Sequence, residues 1–169
     1  MTSPELLVHG EALNRLAQVP GRPWEVGGWL LGWWSDDASE LFVTHATPAA
    51  SRGTPFGVTI SGRGHRPRFD AAWDASGGTV TFLGDWHTHP GGPAVLSDRD
   101  RKAMCQLASD PDFGTPHPLI AVVATGRWPW SRASRIRFYI GTSDEPRELE
   151  PCRVGRLPPS AARVPDWAW

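Results

Sequence analysis

Residues 84–100, Gly-Asp-Trp-His-Thr-His-Pro-Gly-Gly-Pro-Ala-Val-Leu-Ser-Asp-Arg-Asp, constrain this chain more than any other stretch. The run that leads into them, Thr79 to His87, is β-branched and apolar and predicts a strand. Pro90 and Gly91-Gly92 then turn the chain, 91–96 reads as a loop, and Ser97 is a natural N-cap for a helix over 98–109. Side chains two apart on a strand point to one face, so a strand persisting through His89 aims His87 and His89 at one point in space. Ser97 and Asp100 place a hydroxyl and a carboxylate on the first helical turn. Two imidazoles and a carboxylate suit zinc, and three protein ligands plus water is the pattern of a catalytic rather than a structural zinc site. Each half also has a plainer reading. Ser97-x-x-Asp100 is close to a capping box, and a lone His-x-His is commonly a pair of core or exposed histidines. The combined spacing, His-x-His-Pro-x6-Ser-x2-Asp, is far more specific than either half, and capping and catalysis are compatible for Ser97.

The flanking chain reads as interleaved strands and helices. Residues 4–18 predict an amphipathic helix with Ser3 as N-cap and Pro4 at its first position. Residues 25–34, Glu-Val-Gly-Gly-Trp-Leu-Leu-Gly-Trp-Trp, predict a central strand whose glycines permit close backbone approach. Residues 40–47 alternate and predict its antiparallel neighbour, and 56–61 a third strand inside a loop-rich stretch, 48–68. A helix over 68–75 ends at Gly77-Gly78, and strands are expected at 118–125 and 134–141, joined by a Trp-Pro-Trp loop. The expected fold class is therefore α/β: a single domain with a mixed central sheet flanked by helices over 1–141. Residues 142–169 read as a proline-rich, loosely packed tail whose last tryptophans are able to dock on the domain.

Composition narrows the function classes. The chain has 169 residues, 40% hydrophobic and 21% charged, with a formal net charge of -1. That suits a globular domain, and it argues against nucleic acid as a partner. No apolar run reaches the length of a membrane span, and the polar N-terminus is unlike a signal peptide, so the expectation is no membrane and a cytoplasmic location. Cys105 and Cys152 lack metal-type spacing and read as free thiols. Lys102 stands alone against sixteen arginines, which fits either GC-rich coding or avoidance of a lysine-modifying machinery.

The series His87-Thr88-His89-Pro90, Ser97 and Asp100 resembles the signature of the JAMM/MPN+ metalloproteases, and Glu25-Val-Gly-Gly-Trp-Leu-Leu-Gly resembles the family's upstream glutamate segment. The resemblance spans residues 4–141. It implies an MPN (JAB)-like fold, with His87, His89 and Asp100 as ligands of a Zn2+ cofactor, Glu25 as general acid/base and Ser97 as the donor that stabilises the oxyanion. It also implies cleavage after the C-terminal glycine of a ubiquitin-like protein, from a conjugate or a precursor. Residues 53–63 lie where the family carries a substrate-binding insertion, beside a narrow channel expected to be walled by tryptophan. The small Arg-rich chain is similar to the JAMM proteins of bacterial antiphage operons, CBASS and ubiquitination-like systems, with E1-like and E2-like partners. Maturation of a sulfur-carrier protein and a non-catalytic MPN scaffold are the alternatives. Asp85 is open to two roles, a partner for a ligand histidine or simple solvent exposure, Trp86 is expected to pack beside the site, and Cys105 to be core. His9, His45, His65 and His117 are expected to be structural or surface residues, and Asp98 to support the helix start.

Overall fold

The computed structural model describes residues 3–109, 117–142 and 144–156. Its centre is the antiparallel pair of β2 (Val26–Trp34) and β5 (Thr81–Pro90). Outward from this pair run β6 (Leu119–Thr125), β7 (Ala133–Ile140) and β8 (Arg147–Leu149) on one side. On the other run β3 (Glu40–Ala46), β1 (Glu5–His9) and β9 (Pro151–Val154). The short β4 (Ser51–Arg52) pairs with the start of β2. The β5–β6, β1–β3 and β1–β9 pairs are parallel and the others antiparallel, so the sheet is mixed as expected.

Alternation along the strands sorts side chains onto two faces. Leu119, Ala121 and Val123 join Leu16, Val26, Leu30 and Trp86 in the larger core, on the side of helix α1 (Gly10–Ala17). Ile120, Val122 and Ala124 join Met104 on the other face, under helix α3 (Asp98–Ala108). Helix α2 (Arg66–Ser76) closes that second face through Ala72 against Leu31 and Val80. It ends where Gly77 adopts φ 65°, the left-handed cap a glycine allows.

Close approach explains two glycines. Trp86 is fully buried and donates its indole N–H to the Thr47 carbonyl at 3.0 Å, and that indole nitrogen lies 2.5 Å from where a Cβ on Gly28 would stand. Gly84 has φ 150° and its Cβ would collide with the Leu119 carbonyl of the adjacent parallel strand. Trp86 therefore packs in the α1-side core, on the face opposite His87, and not beside the histidines.

Three further expectations change. Residues 5–9 are a strand and only 10–17 a helix, so Ser3 and Pro4 start nothing helical. Leu6, Leu7 and Val8 are buried between two parallel neighbours, and a short apolar run buried on both faces looks the same in sequence whether helix or strand. Residues 56–61 form no strand: the chain pairs earlier, through β4, and then turns tightly at a Thr54–Gly57 bridge. Within 142–169, β8 and β9 extend both edges of the sheet rather than lying loose. Docking of Trp167 and Trp169 falls outside the described residues. No helix among the described residues is long and apolar enough to cross a membrane.

Candidate metal centre

His87 and His89 lie near the end of β5, and the strand does persist through both. Their Nε2 atoms are 3.1 Å apart. Asp100, at the start of α3, faces both: Oδ1 is 3.5 Å from His87 Nε2 and Oδ2 is 3.5 Å from His89 Nε2. The donor atoms of the three residues all fall within 4.8 Å of one another, and theirs is the metal-type group found among the described residues. A tetrahedral zinc with bonds of about 2.0–2.1 Å separates its ligand atoms by about 3.3 Å, so the donor set fits a small divalent cation with little rearrangement.

Second contacts fix these side chains. The His89 Nδ1–H donates to the Pro93 carbonyl at 3.0 Å, which leaves the Nε2 lone pair facing Asp100 and His87. Asp100 Oδ2 accepts from the Ser97 backbone N–H at 2.8 Å and from the Ser97 hydroxyl at 2.6 Å, while Ser97 Oγ accepts from the Asp100 N–H at 3.2 Å. The capping box is thus complete, and in this state the Ser97 hydroxyl proton is engaged by Asp100. Burial pushes the Asp100 carboxyl up, but hydrogen bonds from His87, His89 and Ser97 outweigh it and hold the group well below the usual carboxylate range. For His89, burial works against protonation and is outweighed by Asp100 and the Pro93 carbonyl, which raise its pKa.

Glu25 arrives from the other strand of the central pair. Val26 belongs to the α1-side core, so Glu25, one residue earlier, faces the α3 side with His87. Its main chain is held by the loop ahead of the cavity, Glu25 N–H to Thr54 O and Gly53 N–H to Glu25 O, both at 2.9 Å. Thr88, between the two histidines, accepts the Val26 N–H on its hydroxyl at 3.0 Å and clips β2 to β5 beside Glu25. Burial raises the Glu25 pKa; the two imidazoles and Arg99 oppose the rise, and Asp100 adds to it.

Glu25, His87, Ser97, Arg99 and Asp100 line one cavity of about 100 Å³. A larger cleft of about 560 Å³ on the α1 face, lined by Arg15, Gln18 and Arg22, contains none of them. The apolar part of the smaller cavity's lining is Phe56, Val58 and Ile60 from the 53–63 segment and Ala103, Leu107 and Ile120 from α3 and β6. The segment 53–63 therefore does flank the site, but the apolar lining is aliphatic with one phenylalanine and includes no tryptophan. Asp85 also lines the cavity; its Oδ1 is buried without a hydrogen-bond partner, and burial raises its pKa to about 7. Among the described residues it makes no bond to a ligand histidine, and as a residue it is half-buried, with only part of its side chain exposed. Thr88 and Arg99 were not singled out by the sequence. A hydroxyl between two same-face histidines was the only local hint for Thr88, and nothing local marked Arg99.

The remaining histidines stand apart from this group. His65 is buried, bonded to Thr47 Oγ1 at 2.8 Å, and His45 is buried beside Thr44 Oγ1 at 2.8 Å. Cys105 is half-buried rather than core.

Residues 14–137 match the family described as prokaryotic homologs of the JAB domain. A CD-NTase/cGAS isopeptidase of Enterobacter hormaechei subsp. hoffmannii is 32% identical over 101 residues, 59% of this chain and 54% of that protein. A similarly named isopeptidase of Pseudomonas aeruginosa is 32% identical over 101 residues, 59% of this chain and 63% of that protein. A probable metalloprotease of Sinorhizobium fredii is 28% identical over 109 residues, 63% of this chain and 66% of that protein. The match thus spans between 54% and 66% of the length of these relatives. The fold is shared with the solution structure of a Desulfitobacterium hafniense protein, with a TM-score of 0.62 at 19% identity over 90% of this chain and 94% of that one. With the family match covering residues 14–137, most of the domain, the chain belongs to the prokaryotic JAB-domain family.

Proposed function

We propose that this protein is a zinc-dependent peptidase or isopeptidase that cleaves after the C-terminal glycine of a ubiquitin-like protein, in the cytoplasm and as part of a bacterial ubiquitination-like antiphage system. The observation that carries the reading is the convergence of His87, His89 and Asp100 on one point, with Glu25 in the same cavity. The names of the relatives, isopeptidase and metalloprotease, support it, and the names that mention CD-NTase/cGAS favour the antiphage setting over maturation of a sulfur carrier.

In this reading His87, His89 and Asp100 hold the ion, which when bound supplies a Lewis acid and brings the pKa of water from 15.7 to about 7. Glu25 takes the proton of the attacking water and passes it to the amine that leaves. Burial suits Glu25 to both halves of that task, because a raised pKa lies nearer the working pH. Ser97 stabilises the developing oxyanion once its hydroxyl turns from Asp100. The intact donor set speaks against a non-catalytic scaffold.

The test is incubation with ubiquitin-like fusions bearing a C-terminal extension, with and without a chelator, and location of the cut by mass. Cleavage after the terminal glycine that stops with chelator and returns with zinc is expected. Glu25→Gln should lower kcat by about 10²–10⁴ while Tm is retained. A Glu25→Gln protein with wild-type turnover would remove Glu25 from this role.

A further inference from the structure

Asp85 lines the same cavity as Glu25 and His87, yet the hydrolytic array does not use it. It lies two residues before His87 on β5, so its side chain shares that face about 7 Å along the strand. Its Oδ1 is buried with no hydrogen-bond partner among the described residues. Buried polar atoms in folded proteins are almost always bonded, so an orphan on a side chain that lines a binding cavity points to a donor that arrives with a ligand. The cavity also limits that donor. Phe56, Val58, Ile60, Ala103, Leu107 and Ile120 line it beside the polar groups, and its volume of about 100 Å³ is small for a ligand pocket. A space of that size suits main chain and small side chains.

We propose that Asp85 is the specificity-determining anchor for the substrate main chain on the acyl side of the scissile bond. Its carboxyl, turned so that an oxygen faces the cavity it lines, accepts a hydrogen bond from a backbone N–H within the two or three residues that precede that bond. The identity of the bond rests on the hydrolase reading above; the subsite itself rests on the cavity. The consequence is selection for an unbranched tail with a free amide at this position, which proline or an N-methylated residue lacks.

The test uses zinc-loaded Glu25→Gln protein, which binds without cleaving. It is titrated by calorimetry with acetyl-Ala-Gly-Gly-Gly-amide and with the three peptides in which one glycine is replaced by N-methylglycine. Both the Asp85 and the Asp85→Leu backgrounds are measured. One N-methyl peptide should bind about tenfold more weakly than the parent where Asp85 is present, and equally to the parent in Asp85→Leu. Asp85→Asn, which keeps an acceptor oxygen, should bind the parent within about threefold of Asp85 itself. Without peptide, Asp85→Leu and Asp85→Asn should melt at or above the wild-type Tm, because no bond of the free protein is lost. Equal N-methyl effects in both backgrounds, or no binding at about 5 mM peptide, would overturn the assignment. So would a lower Tm joined to a 10–100-fold loss of zinc affinity, the mark of a group that orients His87. Asp85-dependent peptide binding together with no cleavage of any glycine-terminated fusion by the Glu25 protein would sink the hydrolase reading and leave the subsite standing.

Discussion

At the scale of single residues, Ser97 has two physical roles that different readouts separate. Its hydroxyl oxygen caps α3 through the Asp100 N–H, and its hydroxyl proton holds Asp100 Oδ2. Loss of a serine N-cap costs about 0.5–2 kcal/mol, and loss of an oxyanion donor about 10²–10³ in rate. We expect Ser97→Ala to lower stability by the first amount in urea titration and kcat by the second. Ser97→Thr, which keeps the cap, should recover most of the stability. If activity falls only in proportion to the folded fraction, Ser97 is a cap and nothing more. For Asp100→Asn, the metal-to-protein ratio after dialysis should fall well below the wild-type value, because the substitution removes the carboxylate charge that both imidazoles face.

At the scale of elements, the centre is an agreement between β2, β5 and α3. Residues 87 and 89 share a face because β5 stays extended, and the register that sets Gly27 opposite His87 brings Glu25 to the cavity. Thr88 locks that register from 62 residues away in sequence. Thr88→Val keeps the shape and leaves the buried Val26 N–H without its partner, at a cost of about 1–3 kcal/mol. We expect Tm to drop by about 2–4 °C per kcal/mol and kcat to fall by up to about 10²-fold, since a shift of about 1 Å in a catalytic group suffices for that. An unchanged kcat would show that Glu25 is placed by Thr54 and Gly53 alone. The strand, turn and helix of 81–108 were legible in the sequence because their signals are local: β-branched residues, then Pro90 and two glycines, then a capping serine. The N-terminal strand was not, because Leu6, Leu7 and Val8 became a strand by pairing with β3 and β9, and those partners lie far along the chain.

At the scale of the whole molecule, stability should depend on pH through buried neutral histidines. Burial, with His9 and Arg15 nearby, pushes His45 from 6.5 down to about 3. Burial and Arg68 lower His65 as well. The folded state therefore resists protons that the unfolded chain accepts, and the stability these neutral groups support is whole above pH 6.5 and declines as pH falls below it. For His45 the decline continues toward pH 3 at about 1.4 kcal/mol per pH unit. Urea titrations at pH 7 and 5.5 should show wild type losing stability and His45→Gln losing about 1 kcal/mol less over the same interval. A His45→Gln protein with the wild-type slope would place the acid sensitivity elsewhere.

The sequence by itself determined which atoms are available to the site and on which local elements they sit, because strand alternation and helix capping act over a few residues. Folding in three dimensions decided the rest. It set which strand lies beside β5, whether Glu25 faces the histidines or the core, that Trp86 fills the opposite face, and that Asp85 lines the cavity with its Oδ1 unpartnered. Each of those outcomes is fixed by pairing and packing between segments tens of residues apart, and no local pattern carries that information.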